Sequence, residues 1–282
     1  ADKNNLSEGT RFRYATLRRH LEACKPIHAD SCTPQDLENF TAYLRRIGQA
    51  PNTISSKLKA LRALLNFAVL HGYAENSPFK TFKIPQEVYG SVTWLTAAER
   101  DAIAAANLPP KLSAQRDVFV FQCWTGCRIS DLYRLTPDNI TADGCLQYIA
   151  HKTRHSHPVT VRVPLSPAAL SVLAKYKHSG RLLPLISTDK YNEAIKRIIA
   201  RVCDRLVVVQ DPATLQPKSV HLSEIASSHL ARRTFAENAF LASGSERIVS
   251  SMTGHSANSQ ALRRYTEVTD DLKRQALKTA PT

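Results

Sequence analysis

Between Ser77 and Thr93 the helical rhythm of the preceding residues stops. The stretch holds Pro78 and Pro85, charged interruptions and no period of three to four. Proline fixes its own φ and cannot donate a backbone hydrogen bond, so such a run reads as an extended linker. Directly after it, Thr96-Ala97-Ala98-Glu99 has the form of a capping box, in which Thr96 and Glu99 each satisfy a free helix N–H. A chain of 282 residues broken in this way divides into two units, each long enough for its own core. The expected division is residues 1–88, a linker at 89–95, and residues 96–282.

The first unit reads as helices. Thr10 to Cys24 carries Phe12, Leu17 and Leu21 as a thin apolar stripe among charges, and Pro34 to Ile47 repeats Leu37, Phe40, Tyr43, Leu44 and Ile47. Asn52 to His71 is the clearest helix. Ile54, Leu58, Leu61, Leu65 and Val69 recur every three or four residues, and Gly72 stands where a helix would stop. Lys57, Lys59 and Arg62 lie off that stripe and form a basic face, candidate contacts for an anionic partner.

The second unit is mostly helical with one break. Cys145 to Ala150 and Val159 to Val163 are β-rich runs around the polar turn HKTRHSHP, a hairpin with room for a third short strand. Helical patterns resume at 167–177, 188–203, 228–242 and 245–252, while Asp211 to Val220 reads as a loop. The fold class is therefore mainly α with a small antiparallel β-sheet, in two domains.

Lys and Arg number 38 against 24 Asp and Glu, a net charge of +14. The first 90 residues hold 13 basic and 8 acidic side chains, so the excess is not one basic tail. Such a balance favours a polyanionic partner, a nucleic acid or an anionic membrane surface. No uncharged apolar run reaches the ~18 residues of a membrane span. The opening ADKNNLSEG has neither a hydrophobic leader nor an initiating Met, the expected mark of a processed or cut chain that has lost an N-terminal module. Six cysteines follow no regular framework, so reduced thiols and a cytoplasmic location are expected. Cys123 and Cys127 could share a helix face as a metal pair, but no second Cys/His pair stands at zinc-site spacing.

An ordered set of residues runs through the second unit: Arg128 in TGCRISDL, Lys152 in HKTR, His229 and Arg232 in HLARRTF, His255 in TGHS, and Tyr265. A phosphodiester repels nucleophiles, and cleaving it requires cations where negative charge builds in the transition state. Arginine meets a phosphate with a planar fork that never loses its charge, which makes Arg128 and Arg232 the candidates. His229 and Arg232, three apart on a helix, share a face, with Arg233 expected to point away toward DNA backbone or solvent. Asp131 either buttresses Arg128 from its helix face or is a plain acid at a helix N-terminus.

Lys152, at a hairpin tip, can protonate a departing 5′ oxygen, and Arg154 is its rival in that turn. His151, His155 and His157 could form a metal site, but a solvated polar turn explains them and no metal is expected. Gly254 can end a helix and expose His255 as a donor beside the phosphate. Tyr265 is the candidate nucleophile. Its phenol, with a pKa near 10, needs activation, and His229 is the plausible proton acceptor. Arg263 and Arg264, just before it, are placed for flanking phosphates.

This order and these contexts resemble the tyrosine recombinases, the phage-integrase family. The resemblance covers nearly the whole chain. It implies a helical core-binding domain followed by a catalytic domain with a C-terminal tail helix around Leu272, Ala276 and Leu277. It implies Arg128, Lys152, His229, Arg232, His255 and Tyr265 as catalytic residues. The implied activity is site-specific recombination of double-stranded DNA, through a 3′-phosphotyrosyl link and a Holliday junction, by the integrase of a mobile element. The resemblance further implies a homotetramer that exchanges C-terminal helices, accessory bending or directionality factors, no cofactor, no membrane, and a bacterial nucleoid location. One departure stands out. Tyr265 lies ten residues after His255, where nine is the commoner interval. A type IB topoisomerase and a non-catalytic DNA-binding protein are the alternatives.

Overall fold

In the computed structural model, residues 6–90, 92–151, 158–177, 181–255 and 259–263 are described. The chain forms two compact units, Ala1–Gly90 with Gln210–Lys218, and Ser91–Val209 with Ser219–Thr282.

The first unit is built on α1 (Glu8–Cys24), α2 (Pro34–Arg46) and α3 (Pro51–Leu70). Ser7 and Thr33 cap the first two by accepting from Thr10 N and Asp36 N, and Asp36 returns the bond to complete a capping box. α3 begins at Pro51, which suits a first helical turn because its missing N–H would have no partner there. Ile54, Leu58, Leu61 and Leu65 are buried against Leu17 of α1 and Leu37, Phe40 and Leu44 of α2. Each leucine removed from water contributes about 2 kcal/mol to the bundle. The expected α1 stripe is only partly right, because Phe12 is 69% exposed and lies outside the core. α1 packs on the core through Leu17, Tyr14, Leu21 and Cys24. Ile47 is likewise exposed, past the end of α2.

The proline-rich stretch is not loose. After a short 3₁₀ turn at Pro78–Lys80, residues 85–88 run along α3. Asn52 Nδ2 donates to Val88 O at 2.7 Å, and Val88 N–H returns to Asn52 Oδ1 at 3.0 Å. Ser55 Oγ donates to Pro85 O at 2.8 Å. Lys59 pairs with Glu87 at 2.6 Å, so this basic candidate is engaged within its own unit.

The chain then forms, in order, α4 (Ala97–Ala105), α5 (Pro110–Thr125), α6 (Ile129–Leu132), β1 (Cys145–Ile149), β2 (Thr160–Pro164), α7 (Pro167–Tyr176), α8 (Thr188–Val202), β3 (Leu206–Gln210), β4 (Pro217–His221), α9 (Leu222–Ile225), α10 (Ser228–Ser243), α11 (Glu246–Thr253) and α12 (Gln260–Arg263). The capping box at Thr96 is present, with Glu99 N–H donating to Thr96 Oγ1 and Thr96 N–H to Glu99 Oε2. α5 is the central helix, buried on most of its length by α4, α7, α8 and α10.

β1 and β2 pair antiparallel from Cys145↔Pro164 to Ile149↔Thr160, and an isolated bridge between Ile140 and Leu146 supplies the hint of a third strand. The expectation of a loop at 211–220 needs correction. Pro217–His221 is a strand paired with Leu206–Gln210. Only Val220 of β4 is buried, so the period-two signal of a half-buried strand is missing and the pairing comes from its neighbour. Among the described residues, no helix is long and apolar enough to cross a membrane.

All six cysteines are unpaired. Cys127 lies beyond the end of α5, off its helical face, and burial pushes the thiols of Cys123 and Cys127 up. Both are packing groups rather than a metal pair.

Candidate active site

Two helix ends and the face of a third define the site. α5 stops at Gly126, whose φ is +64°. A Cβ there would stand 2.4 Å from the Phe235 ring of α10, so glycine permits both the left-handed turn and the close packing. α11 stops in the same manner at Gly254, φ +66°, where a Cβ would come within 2.9 Å of Val161 on β2. Between these ends α10 presents His229 and Arg232. Phe235 and Phe240 anchor α10 in the surrounding cores.

Arg232 is buried, with 1% of its surface exposed. Its Nη1 donates to Gly126 O at 2.6 Å and its Nη2 to Thr253 O at 2.6 Å, so the guanidinium bridges the two helix ends. His255 Nε2 lies 3.2 Å from the same Nη2. On its other side, His255 Nδ1 is 2.8 Å from the Thr253 hydroxyl.

Arg128 is the first residue of the turn into α6 and is half-buried. Gln122 Nε2 donates to Cys127 O at 2.8 Å and is itself oriented by the Tyr191 hydroxyl at 3.1 Å. The turn is thus held from within α5. Among the described residues the Arg128 side chain makes no hydrogen bond or ion pair. The neighbouring Asp131, 2% exposed, turns its Oδ1 to His151 N–H at 2.8 Å instead of buttressing Arg128. It thereby holds the backbone at His151, just past β1.

His229 sits among cations. Burial, then the charges of Arg233, Arg232 and Arg128, push its pKa down to about 4. Arg233 therefore does not point away as expected. Four residues after His229 on α10, it is stacked on the same helical side and half-buried. At neutral pH the imidazole carries a lone pair and can take a proton.

The shift also predicts a pH dependence of stability. Between about pH 6.5 and pH 4 an unfolded histidine binds a proton that folded His229 does not, so folding stability falls as pH drops through that window. His229→Gln should flatten this part of the stability–pH curve in denaturant titrations. An unchanged slope would remove His229 as its source.

Lys152, Arg154, Arg264 and Tyr265 lie outside the described residues. Gln122, Tyr191 and Thr253 hold the site but escape a reading of the sequence, because the contacts Tyr191–Gln122 and Arg232–Thr253 join distant elements.

Comparison with known proteins agrees across the chain. Residues 1–84 match the phage integrase SAM-like domain, and residues 93–271 match the phage integrase family. Tyrosine recombinase XerD of Lacticaseibacillus casei is 23% identical over 227 residues, 79% of this chain and 75% of that protein. Tyrosine recombinase XerC of Mesorhizobium japonicum is 24% identical over 233 residues, 79% of this chain and 71% of that protein. Among solved structures, the Tn1549 transposon integrase in complex with circular intermediate DNA superposes with a TM-score of 0.72 at 16% identity, covering 98% of this chain and 95% of that one. A lambda integrase from a tetramer bound to a Holliday junction gives a TM-score of 0.67 at 18% identity, covering 94% of this chain and 73% of that one. The sequence motifs, the mainly helical two-unit fold and these matches together make this chain a member of the phage-integrase family, the tyrosine recombinases.

Proposed function

We propose that this recombinase cleaves and rejoins double-stranded DNA at specific sites through covalent attachment at Tyr265, as the integrase of a mobile element. The observation that carries the reading is a half-buried Arg128 with no hydrogen bond or ion pair among the described residues, near an oriented Arg232 and an imidazole held neutral. That arrangement offers cationic donors to a phosphate and a base to a phenol.

In this reading Arg128, Arg232 and His255 surround the scissile phosphate. Tyr265 Oη attacks phosphorus, its proton passes to His229, and the P–O5′ bond breaks to leave a 3′-phosphotyrosyl link. Lys152 protonates the departing 5′ oxygen. The free 5′ hydroxyl then attacks the corresponding link of a partner duplex, regenerating tyrosine and giving a Holliday junction. The bond energy is kept in the phosphotyrosyl ester, so neither ATP nor a metal ion is called on.

A tetramer follows from the need to hold two duplexes, and the lambda integrase tetramer on a Holliday junction supports it by likeness of fold. Exchange of C-terminal helices, accessory DNA-bending or directionality factors, and work in the bacterial cytoplasm at the nucleoid belong to the same reading. Residues 1–88 form a core-type DNA-binding domain in this proposal, with the catalytic domain at 96–282. Lys57, Arg62, Arg154, Arg233 and Arg264 supply backbone contacts, as the basic charge of both parts suggests.

The test is incubation of the purified protein with nicked duplexes carrying the ends of the candidate element, without metal. A covalent protein–DNA adduct that survives denaturation is expected. Tight binding with no adduct on any site would favour a non-catalytic DNA-binding role. Relaxation of a closed, supercoiled plasmid without any joining of two duplexes would favour a topoisomerase.

The Lys152 role has its own check. Lys152→Ala should slow cleavage by about a hundredfold, and a 5′-thiolate leaving group, which needs no proton, should restore it. No rescue would assign the acid elsewhere, with Arg154 the first rival.

A further inference from the structure

Thr253 touches the site twice, and nothing in the catalytic scheme above uses it. It is fully buried at the end of α11. Its carbonyl accepts from Arg232 Nη2 at 2.6 Å, and its hydroxyl contacts both Val249 O at 2.6 Å and His255 Nδ1 at 2.8 Å.

A hydroxyl has one proton. A carbonyl oxygen can only accept, so that proton goes to Val249 O. The Thr253 oxygen must then accept from His255, which places a hydrogen on Nδ1. In a neutral imidazole the other nitrogen, Nε2, then carries the lone pair. That nitrogen faces Arg232 Nη2, a group that can only donate. The opposite tautomer would set N–H against N–H at Arg232 and lone pair against lone pair at Thr253. Every link in the chain from Val249 O to Arg232 thus has one consistent direction.

We propose that Thr253 is a positioning residue that locks His255 in its Nδ1–H form in the protein without DNA, so that His255 Nε2 accepts from Arg232 and orients its guanidinium. With the Thr253 carbonyl and His255 Nε2 both accepting from Nη2, the guanidinium plane is fixed from two sides by one residue and the histidine it orients. The proposal rests on the recombinase reading for its catalytic consequence, while the tautomer itself does not.

The experiment uses the full chain labelled with ¹⁵N at histidine. Two-bond ¹H–¹⁵N correlation spectra should show a protonated-type Nδ1 and an unprotonated-type Nε2 for His255, assigned by comparison with His255→Gln. Thr253→Val keeps the shape and the carbonyl but removes the hydroxyl. It should shift His255 toward the Nε2–H form and slow adduct formation on nicked duplex about tenfold, the effect of losing one ordinary hydrogen bond. Thr253→Ser keeps the hydroxyl and should restore both.

An Nε2–H tautomer in the unsubstituted protein would overturn the proposal, and that readout stands even if Thr253→Val fails to fold. A tautomer shift in Thr253→Val with an unchanged adduct rate would overturn the positioning role. Failure of the unsubstituted protein to form any adduct would count against the recombinase reading, and the spectra would still decide the tautomer.

Discussion

Replacing Tyr265 with Phe abolishes covalent attachment to DNA and leaves DNA affinity within about threefold of the original, because contacts from Lys and Arg to phosphates supply most of the binding. The substitution removes one oxygen and nothing else, so a fold defect is not expected to confuse the outcome. Adduct is read on a denaturing gel with nicked duplex, and affinity by equilibrium binding at a fixed salt concentration. The ten-residue spacing from His255 makes this the decisive position. If the Phe variant still forms adduct, another nucleophile is at work and the assignment of Tyr265 fails. If adduct and affinity fall together, Tyr265 belongs to the binding surface rather than to the chemistry.

Arg232→Lys is the second large effect, and it strikes both stability and rate. Lysine keeps the charge but is a point donor on a flexible stem, without the planar fork. It cannot reach Gly126 O, Thr253 O and His255 Nε2 in one geometry. Leaving such buried acceptors unmet costs about 1–3 kcal/mol. Loss of an aligned donor at the developing charge costs a further ~100- to 1,000-fold in cleavage. Arg128→Lys is the matched control. Arg128 makes no hydrogen bond or ion pair among the described residues, so its replacement should slow cleavage with little change in Tm. Equal loss of Tm in the two variants would show that the bridge between the helix ends does not stabilise the fold.

Much of this is legible in the residues themselves. The α3 stripe, the capping box at Thr96, the hairpin around HKTRHSHP and the joint facing of His229 and Arg232 all follow from spacing, because period and local capping act within one element. What escapes depends on contacts between elements. Phe12 has helical spacing but no neighbour to cover it. β4 becomes a strand through its partner. Arg233 is assigned to solvent by the wrong neighbour relation, since the four-residue step to His229 outweighs its distance from Arg232 around the helix. Lys59 looks available in the sequence, yet a residue 28 positions later claims it. Thr253 has local partners in Val249 and His255, but its link to Arg232 depends on α10 arriving beside it.

The bridge made by Arg232 has one more consequence. Gly126 O and Thr253 O are not isolated carbonyls; they close the C-terminal ends of α5 and α11, where aligned peptide dipoles leave about half a negative charge each. Two such ends add the field of their dipoles to the hydrogen bonds that hold the buried cation. A carboxylate in their place would cancel the cation's charge, and an incoming anion would have to compete with it. Dipoles orient the cation and leave its formal charge standing. The guanidinium is thereby placed during folding, with its hydration already exchanged for fixed protein groups; in the proposed function a phosphate would find its field in place, and little would have to reorganise when charge moves.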